Sequence, residues 1–301
     1  VNQADFEHVA SNALAAAAGV RLGGGFPLIG DISPDVSPDY LSCLSSSEIH
    51  TGWLSMLSET ERRYVVQLRG RIADKKVLAA DGWIRKDHGL WSGLWHVSPK
   101  GWSGIPGHGH EDFGSFELHF GNEPVLIDPG RGSYGDKSEA ALYRSGAVHN
   151  LLLVDGFDPF PPNKPYYNES FRHHICGDWP KIENTSILKI SHNGYSRLPG
   201  VGMVTREYTE LATGWRITSR VEGHSRRLIS QRFVTPLSVE VGDNEIVMKG
   251  RALYRLRAES AWRVRKIINW SAYGVGSPCN LLILDKCLGL PYVSQVDLEI
   301  I

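Results

Sequence analysis

The sequence predicts a mainly β protein, an antiparallel β-sandwich from about residue 81 onward preceded by a short helical segment. Two observations carry this reading. From Asp81, short runs rich in Val, Ile, Trp, Phe and Tyr recur between Gly, Asn, Asp and Pro, as strands separated by turns do. Upstream the pattern is helical and includes the alanine-rich run from Ala13 to Ala18.

The elements follow in order. Asn2 is placed to cap a first helix, with Asp5 in its first turn, and Gly19 stands where a terminating glycine belongs. Gly23-Gly24-Gly25 then breaks the chain, and Pro27, Pro34 and Pro38 mark residues 26–50 as a loop. Ser58-Glu59-Thr60-Glu61 fits a capping box, which predicts a second helix to about Arg71. In the β region, Phe116, Leu118 and Phe120 alternate with Ser115, Glu117 and His119, as on a strand with one buried face. Gly121-Asn122 makes a hairpin turn into Val125-Leu126-Ile127, and Leu151 to Val154 is an apolar strand ending at Asp155-Gly156. Further strands are expected around 185–191, 203–210, 214–221, 228–234, 237–248, 252–257, 261–269 and 281–284.

Composition narrows the function classes. The 301 residues suffice for one large domain or two modest ones, and the division expected is 1–80 and 81–301. A net charge of −1 argues against wholesale binding to nucleic acid or an anionic membrane, so an acidic polymer would need a local basic groove. No apolar run reaches the length of a membrane span, and no signal peptide opens the chain. Cys43, Cys176, Cys279 and Cys287 show no C-x-x-C spacing; free thiols are expected, with a Cys279–Cys287 bridge as the alternative. Nine tryptophans and eleven tyrosines suit a sugar-binding surface.

Three short segments carry the chemistry: Gly107-His108-Gly109-His110-Glu111-Asp112, Ile127-Asp128-Pro129-Gly130 and Val148-His149-Asn150. Each flanks an expected strand. In extended backbone His108 and His110 face the same side. Two imidazoles and a carboxylate suit zinc, and with His110, Asp128 and His149 as ligands a fourth position stays open. His108 then stands beside the metal. The plainer readings are a core histidine at His149 and a turn residue at Asp128. The H-x-H-x-D-H run of metallo-β-lactamase-like hydrolases is not met, because Phe113 stands where its last histidine belongs, and the Glu spacing of cupins is absent.

The run GHGHEDFGSFELHFGNEPVLIDPGRGSYGD, followed by YRSGAVHNLLLVDG, closely resembles the C-terminal domain of the heparinase II/III-like family. Flanking segments such as DGWIRKDHGLWSGLWHV and GYSRLPGVGMVTREYTEL are similar too, so the resemblance covers most of the chain after about residue 26. It implies a supersandwich-type antiparallel β-sandwich behind an incomplete α/α toroid, and cleavage of acidic polysaccharides by β-elimination. It implies zinc at His110, Asp128 and His149, and an active-site histidine at His108. It favours a periplasmic or secreted location, with the cytoplasm open.

In β-elimination the C5 proton of a uronic acid is removed while the oxygen at C4 leaves, and the adjacent carboxylate has to be neutralised. His108 can be the base or part of the neutralising group. Tyr143 and Arg144 are second-rank candidates, as proton donor and carboxylate holder, against a plain reading of strand-edge packing and a surface ion pair. Tyr134, Arg131 and His173-His174 rank lower, and Asn150 is read as shaping a turn. The departure from the family is length. About 80 residues precede the sandwich, enough for the last helices of a toroid, so the missing toroid domain or a second chain is expected as a partner. The competing reading is a non-catalytic carbohydrate-binding or assembly module with a structural zinc.

Overall fold

The computed structural model describes residues 2–23, 25–30, 52–68, 82–97, 110–133, 138–160 and 181–301. His108, Tyr134, His173, His174, Cys43 and Cys176 lie outside these, as does residue 71, where the second helix was expected to end.

Helix α1 (Gln3–Val20) begins as expected, with the Asn2 side chain accepting from Asp5 N at 2.9 Å. It ends differently. Gly19 lies within the helix, and the cap is Arg21. Arg85 Nη1 donates to Gly19 O and Arg21 O at 3.2 and 2.6 Å, so a cation from the sheet satisfies the terminal carbonyls and no terminating glycine is needed. In α2 (Glu59–Leu68) the capping box forms: Glu61 N donates to Ser58 Oγ at 3.4 Å, and Ser58 N to Glu61 Oε2 at 2.8 Å. A short helix that the sequence reading did not anticipate, α3 (Ser138–Arg144), precedes a 3-10 turn at Gly146–Val148. No helix of the described residues is long and apolar enough to cross a membrane.

Sixteen strands form three antiparallel sheets among the described residues. The first holds β1 (Trp83–His88), β2 (Trp91–His96), β3 (Phe116–Phe120) and β4 (Glu123–Leu126) in sequence order. The second runs β14 (Arg263–Ala272), β15 (Val275–Gly289), β10 (Arg226–Thr235) and β5 (Leu152–Val154). The eight-stranded third runs β11 (Ser238–Val241), β12 (Glu245–Lys249), β13 (Leu253–Ala258), β16 (Tyr292–Ile300), β9 (Gly214–Gly223), β8 (Val201–Leu211), β7 (Leu188–His192) and β6 (Lys181–Asn184). One apolar core takes Trp95 and Phe116 from the first sheet, Phe233 and Leu282 from the second, and Tyr208, Trp215, Leu256 and Leu298 from the third. The mainly β supersandwich is therefore the architecture.

Several expectations need correction. The stretch 237–248 is a hairpin, because Gly242-Asp243-Asn244 turns the chain, and 185–191 holds only the turn Thr185-Ser186-Ile187 and β7 of a second hairpin, whose first strand, β6, was not anticipated. The strand expected at 281–284 is the centre of β15, which pairs with β10 on one side and β14 on the other. Strand β16 was not anticipated, although Tyr292, Val296 and Leu298 are buried on one face of it. β3 is buried on both faces: Glu117 and His119 are each 2% exposed. Its polar face is covered by the chain after α1, where Leu28 N donates to Glu117 Oε1 at 3.3 Å. Cys279 and Cys287 are both free and sit on the same strand, eight residues apart, roughly 27 Å and far beyond disulfide reach.

Candidate active site

The segment that enters β3 and the turns that follow β4 and α3 come together. Before β3 lies a turn in which Ser115 N donates to Asp112 O and Gly114 N to His96 O, both at 2.8 Å. Glu111 N donates to Arg144 O at 2.8 Å and ties this loop to the end of α3. His110 and Asp112 are thereby buried.

Asp128 follows β4 and is held from three directions. Its amide donates to Glu117 Oε1 at 2.9 Å, its Oδ1 accepts from Gly130 N at 2.9 Å, and its Oδ2 accepts from His149 Nδ1 at 2.9 Å. The turn is pinned to β14, where Trp270 N donates to Pro129 O at 2.7 Å. Gly130 has φ +65°, and a Cβ there would lie 2.5 Å from Trp270 O, so the D-P-G turn requires glycine. Asp128 is thus both turn residue and partner of His149.

His149 caps the 3-10 turn and is fully buried; its Nε2 faces Tyr143 O at 3.1 Å. With a carboxylate before one nitrogen and a carbonyl before the other, the ring donates from both and is an imidazolium. Burial alone would lower its pKa, but the Asp128 charge and hydrogen bond, with Asp112 and the Tyr143 carbonyl, push it up to about 9. The His110 and His149 rings lie 5.4 Å apart. The structure therefore brings His110, Asp128 and His149 into one cluster from three separate segments.

Tyr143 is 2% exposed, and its hydroxyl accepts from Ile268 N at 2.6 Å, turned into the second sheet. It sits on α3, not on a strand edge as the plainer reading had it. Arg144 is half-buried in the last turn of α3, where a cation complements the helix dipole.

Three residues of this region, His96, Asp112 and Glu117, were given no role from the sequence, and a fourth, Asn150, only that of a turn. His96 Nδ1 donates to Asp112 Oδ1 at 3.0 Å. Burial would raise the Asp112 carboxyl, but His96 chiefly, with His149 and His110, holds it at about 2. Glu117 supports Asp128, as above. Asn150 is a junction, where the reading had only a turn. Its Nδ2 donates to Phe116 O and Ile127 O at 2.5 and 3.0 Å, and its Oδ1 accepts from Val234 N at 2.7 Å. Its carbonyl accepts from Arg206 Nη1 at 2.9 Å, so one residue touches all three sheets. Asp112 was in view within the quoted run. The other partners lie too far along the chain to be paired by spacing.

The donor set suits zinc chemically: two imidazoles and a carboxylate, buried together, beside Asp112 Oδ2, which is buried without a hydrogen-bond partner. As folded here, Asp128 and His149 bond to each other. Among the described residues no three His, Cys, Asp or Glu side chains converge on a common metal position. To serve as a ligand, His149 has to give up a proton and one of its two hydrogen bonds.

A three-sheet supersandwich with a buried imidazole–carboxylate cluster where its loops meet defines a class of sandwich domain. The family model described as heparinase II/III-like, C-terminal, matches residues 71–267, and the chain belongs to this family. Among solved structures, heparan sulfate lyase HepC from Pedobacter heparinus is similar at a TM-score of 0.64 and 14% identity, over 94% of this chain and 45% of that one. A heparinase III gives 0.65 at 14% identity, over 99% and 49%, and a second heparinase III structure gives 0.66 at 14%, over 94% and 45%. The chain spans less than half the length of these solved proteins. No curated protein matches it.

Proposed function

We propose that this chain is the C-terminal part of a lyase that cleaves uronic-acid-containing acidic polysaccharides by β-elimination. The observation that carries the reading is the assembly of His110, Asp128 and His149 into one buried cluster in a chain of this family. The names of the similar structures, heparinase III and heparan sulfate lyase, support the substrate class. Residues 1–80, with α1 and α2, are assigned to the end of a helical toroid, and the rest of the toroid or a second chain supplies the remaining catalytic groups.

His110, Asp128 and His149 are the residues that would hold zinc. When bound, the ion would fix the three loops in one arrangement. His108 is given the chemical step, as base at C5 or as part of the group that neutralises the carboxylate. Arg144 is assigned to a substrate carboxylate. Tyr143 is left out of the step because its hydroxyl is bound to β14.

The second reading, a non-catalytic module with a structural zinc, is favoured by the depth of the cluster: His149 is 0% and Asp128 1% exposed. Metal analysis tests the ligand set that both readings share, and an activity assay separates them. Metal analysis should find about one zinc per chain, lost in His110→Ala; no zinc, or zinc retained by that variant, refutes the ligand set. Absorbance of the 4,5-unsaturated product should appear when heparan sulfate, heparin or alginate meets a longer form of the protein. His108→Ala should abolish that signal and keep the metal. Full activity in His108→Ala would take the chemical step away from His108, and no product from the longer form would leave only the structural reading.

A further inference from the structure

The outer face of the second sheet carries three arginines side by side. In register, Arg232 of β10 and Arg263 of β14 both stand opposite Ile283 of β15. Arg265 stands one row further on, opposite Leu281, with Val234 on the far side of that residue. Residues two apart on a strand share a face, so all three arginines project the same way. That face is turned from the main core, because their sequence neighbours Phe233 and Val264 pack into it. Strand spacing puts the Arg232 and Arg263 backbones roughly 10 Å apart, and those of Arg263 and Arg265 about 7 Å.

Arg263 and Arg265 are exposed, and Arg232 is half-buried. Asp285, one row beyond Ile283 on β15, pairs with Arg263 and accepts from Ser230 Oγ. Among the described residues, these three cations face that one carboxylate. Burial holds the Arg232 pKa below the usual arginine range; Asp285 acts against this, and the charges of Arg263 and Arg265 add to it. The four groups therefore lie within electrostatic reach of one another. The patch also adjoins the candidate site. Arg232 N donates to Leu151 O at 2.8 Å, two residues past His149, and Ile283 shares an apolar cluster with Val148, the residue before it.

With a net charge of −1 over the whole chain, an acidic polymer needs a local basic surface, and this face supplies one. A guanidinium meets a carboxylate or sulfate with two parallel N–H groups and keeps its charge at any working pH. We propose that Arg232, Arg263 and Arg265 form a subsite for the carboxylate and sulfate groups of an acidic glycan, holding the stretch of glycan beside the segment that carries His149. Their spacings let them engage successive charged sugars of one chain. So short a patch on a nearly neutral chain is not the long basic track that nucleic acid takes. The ligand class rests on the lyase reading above, and the anion-binding surface rests on the register of the sheet.

The test measures binding and not cleavage. A fluorescein-labelled heparan sulfate octasaccharide is titrated with the full chain at about 0.1 M salt, with anisotropy as the readout. The triple variant Arg232→Gln, Arg263→Gln and Arg265→Gln should bind about tenfold more weakly. Arg263→Gln with Arg265→Gln, both at the surface where folding is not at stake, should already lose about threefold. The same charge removed on and beside the third sheet, at the exposed Arg220, Arg251 and Arg257, each changed to Gln, should cost less than about twofold. Equal losses in the two triple variants overturn the proposal, as does wild-type affinity in the first or no binding at all. Single-stranded DNA of matched charge that binds as tightly overturns it too, since the face then takes any polyanion. If the longer form releases no unsaturated product while the difference between the triple variants stands, the lyase reading falls and the subsite remains.

Discussion

Trp95 and His149 are both 0% exposed, yet the regions around them are built in opposite ways. Trp95 stacks on Phe116 at 6.0 Å and meets Tyr208 and Trp215 edge-on at 5.2 and 5.5 Å. Burial of apolar surface holds that region, and the force has no preferred direction. Around His149 the structure is held by directional bonds to particular partners: Asp128, the Tyr143 carbonyl, and Glu117 behind Asp128. A buried polar group that loses its partner bears the full desolvation penalty. The aromatic region should therefore tolerate changes that keep its volume, and the polar region should not.

The largest effect is expected from emptying the aromatic region. Trp95→Ala should cost about 3–5 kcal/mol in urea unfolding, whereas Trp95→Phe should lose well under half of that. Next comes Asn150→Ala, which strips partners from Phe116 O, Ile127 O and Val234 N and should cost about 2–4 kcal/mol. Here the similar-sized Asn150→Leu should rescue nothing. If Asn150→Leu is as mild as Trp95→Phe, the contrast between the two regions fails.

His192 stands between the two kinds of interior, its ring 5.6 Å from each of Phe113, Phe160 and Tyr195. Burial, with the charges of Arg197 and Arg206, pushes its pKa down to about 3. The unfolded chain takes up this proton below about pH 6.5 and the folded chain does not, so the contribution is complete above pH 6.5 and fades as pH falls toward 3. Between pH 7 and pH 5 the protein should lose about 2 kcal/mol relative to His192→Gln, measured by denaturation at each pH. Parallel pH profiles for the two proteins would refute a neutral His192. The smallest effect is at the surface of α2, where Ser58→Ala should cost about 1 kcal/mol through loss of the capping box.

The two regions also differed in how well the sequence displayed them. Phe116 and Leu118 announced their buried face by alternation, and Asn2 and Ser58 marked helix starts by local hydrogen-bonding chemistry. Glu117 and His119 obeyed the same alternation and were read as a solvated face. Alternation gives the two sides of a strand but not what covers the second side. Asn150 looked like a turn residue because its partners at 116, 127 and 234 lie 34, 23 and 84 positions away. The turns at 185–187 and 242–244 were passed over because the first was taken as the start of a strand and the second lies inside a longer strand-like run.

By itself the sequence determined the mainly β class, the helical start, most strand positions and the family resemblance, because each of these depends on neighbours within a few residues or on a contiguous motif. It also named the residues of the cluster, since H-x-H, D-P-G and H-N each sit beside a strand end. Only the tertiary structure decided how those residues are held: His149 as a double donor, Asp128 anchored by Glu117, Tyr143 turned into a sheet, and Arg206 buried behind Asn150. These arrangements depend on directional bonds between distant segments. Their partners exist only once three sheets have packed together.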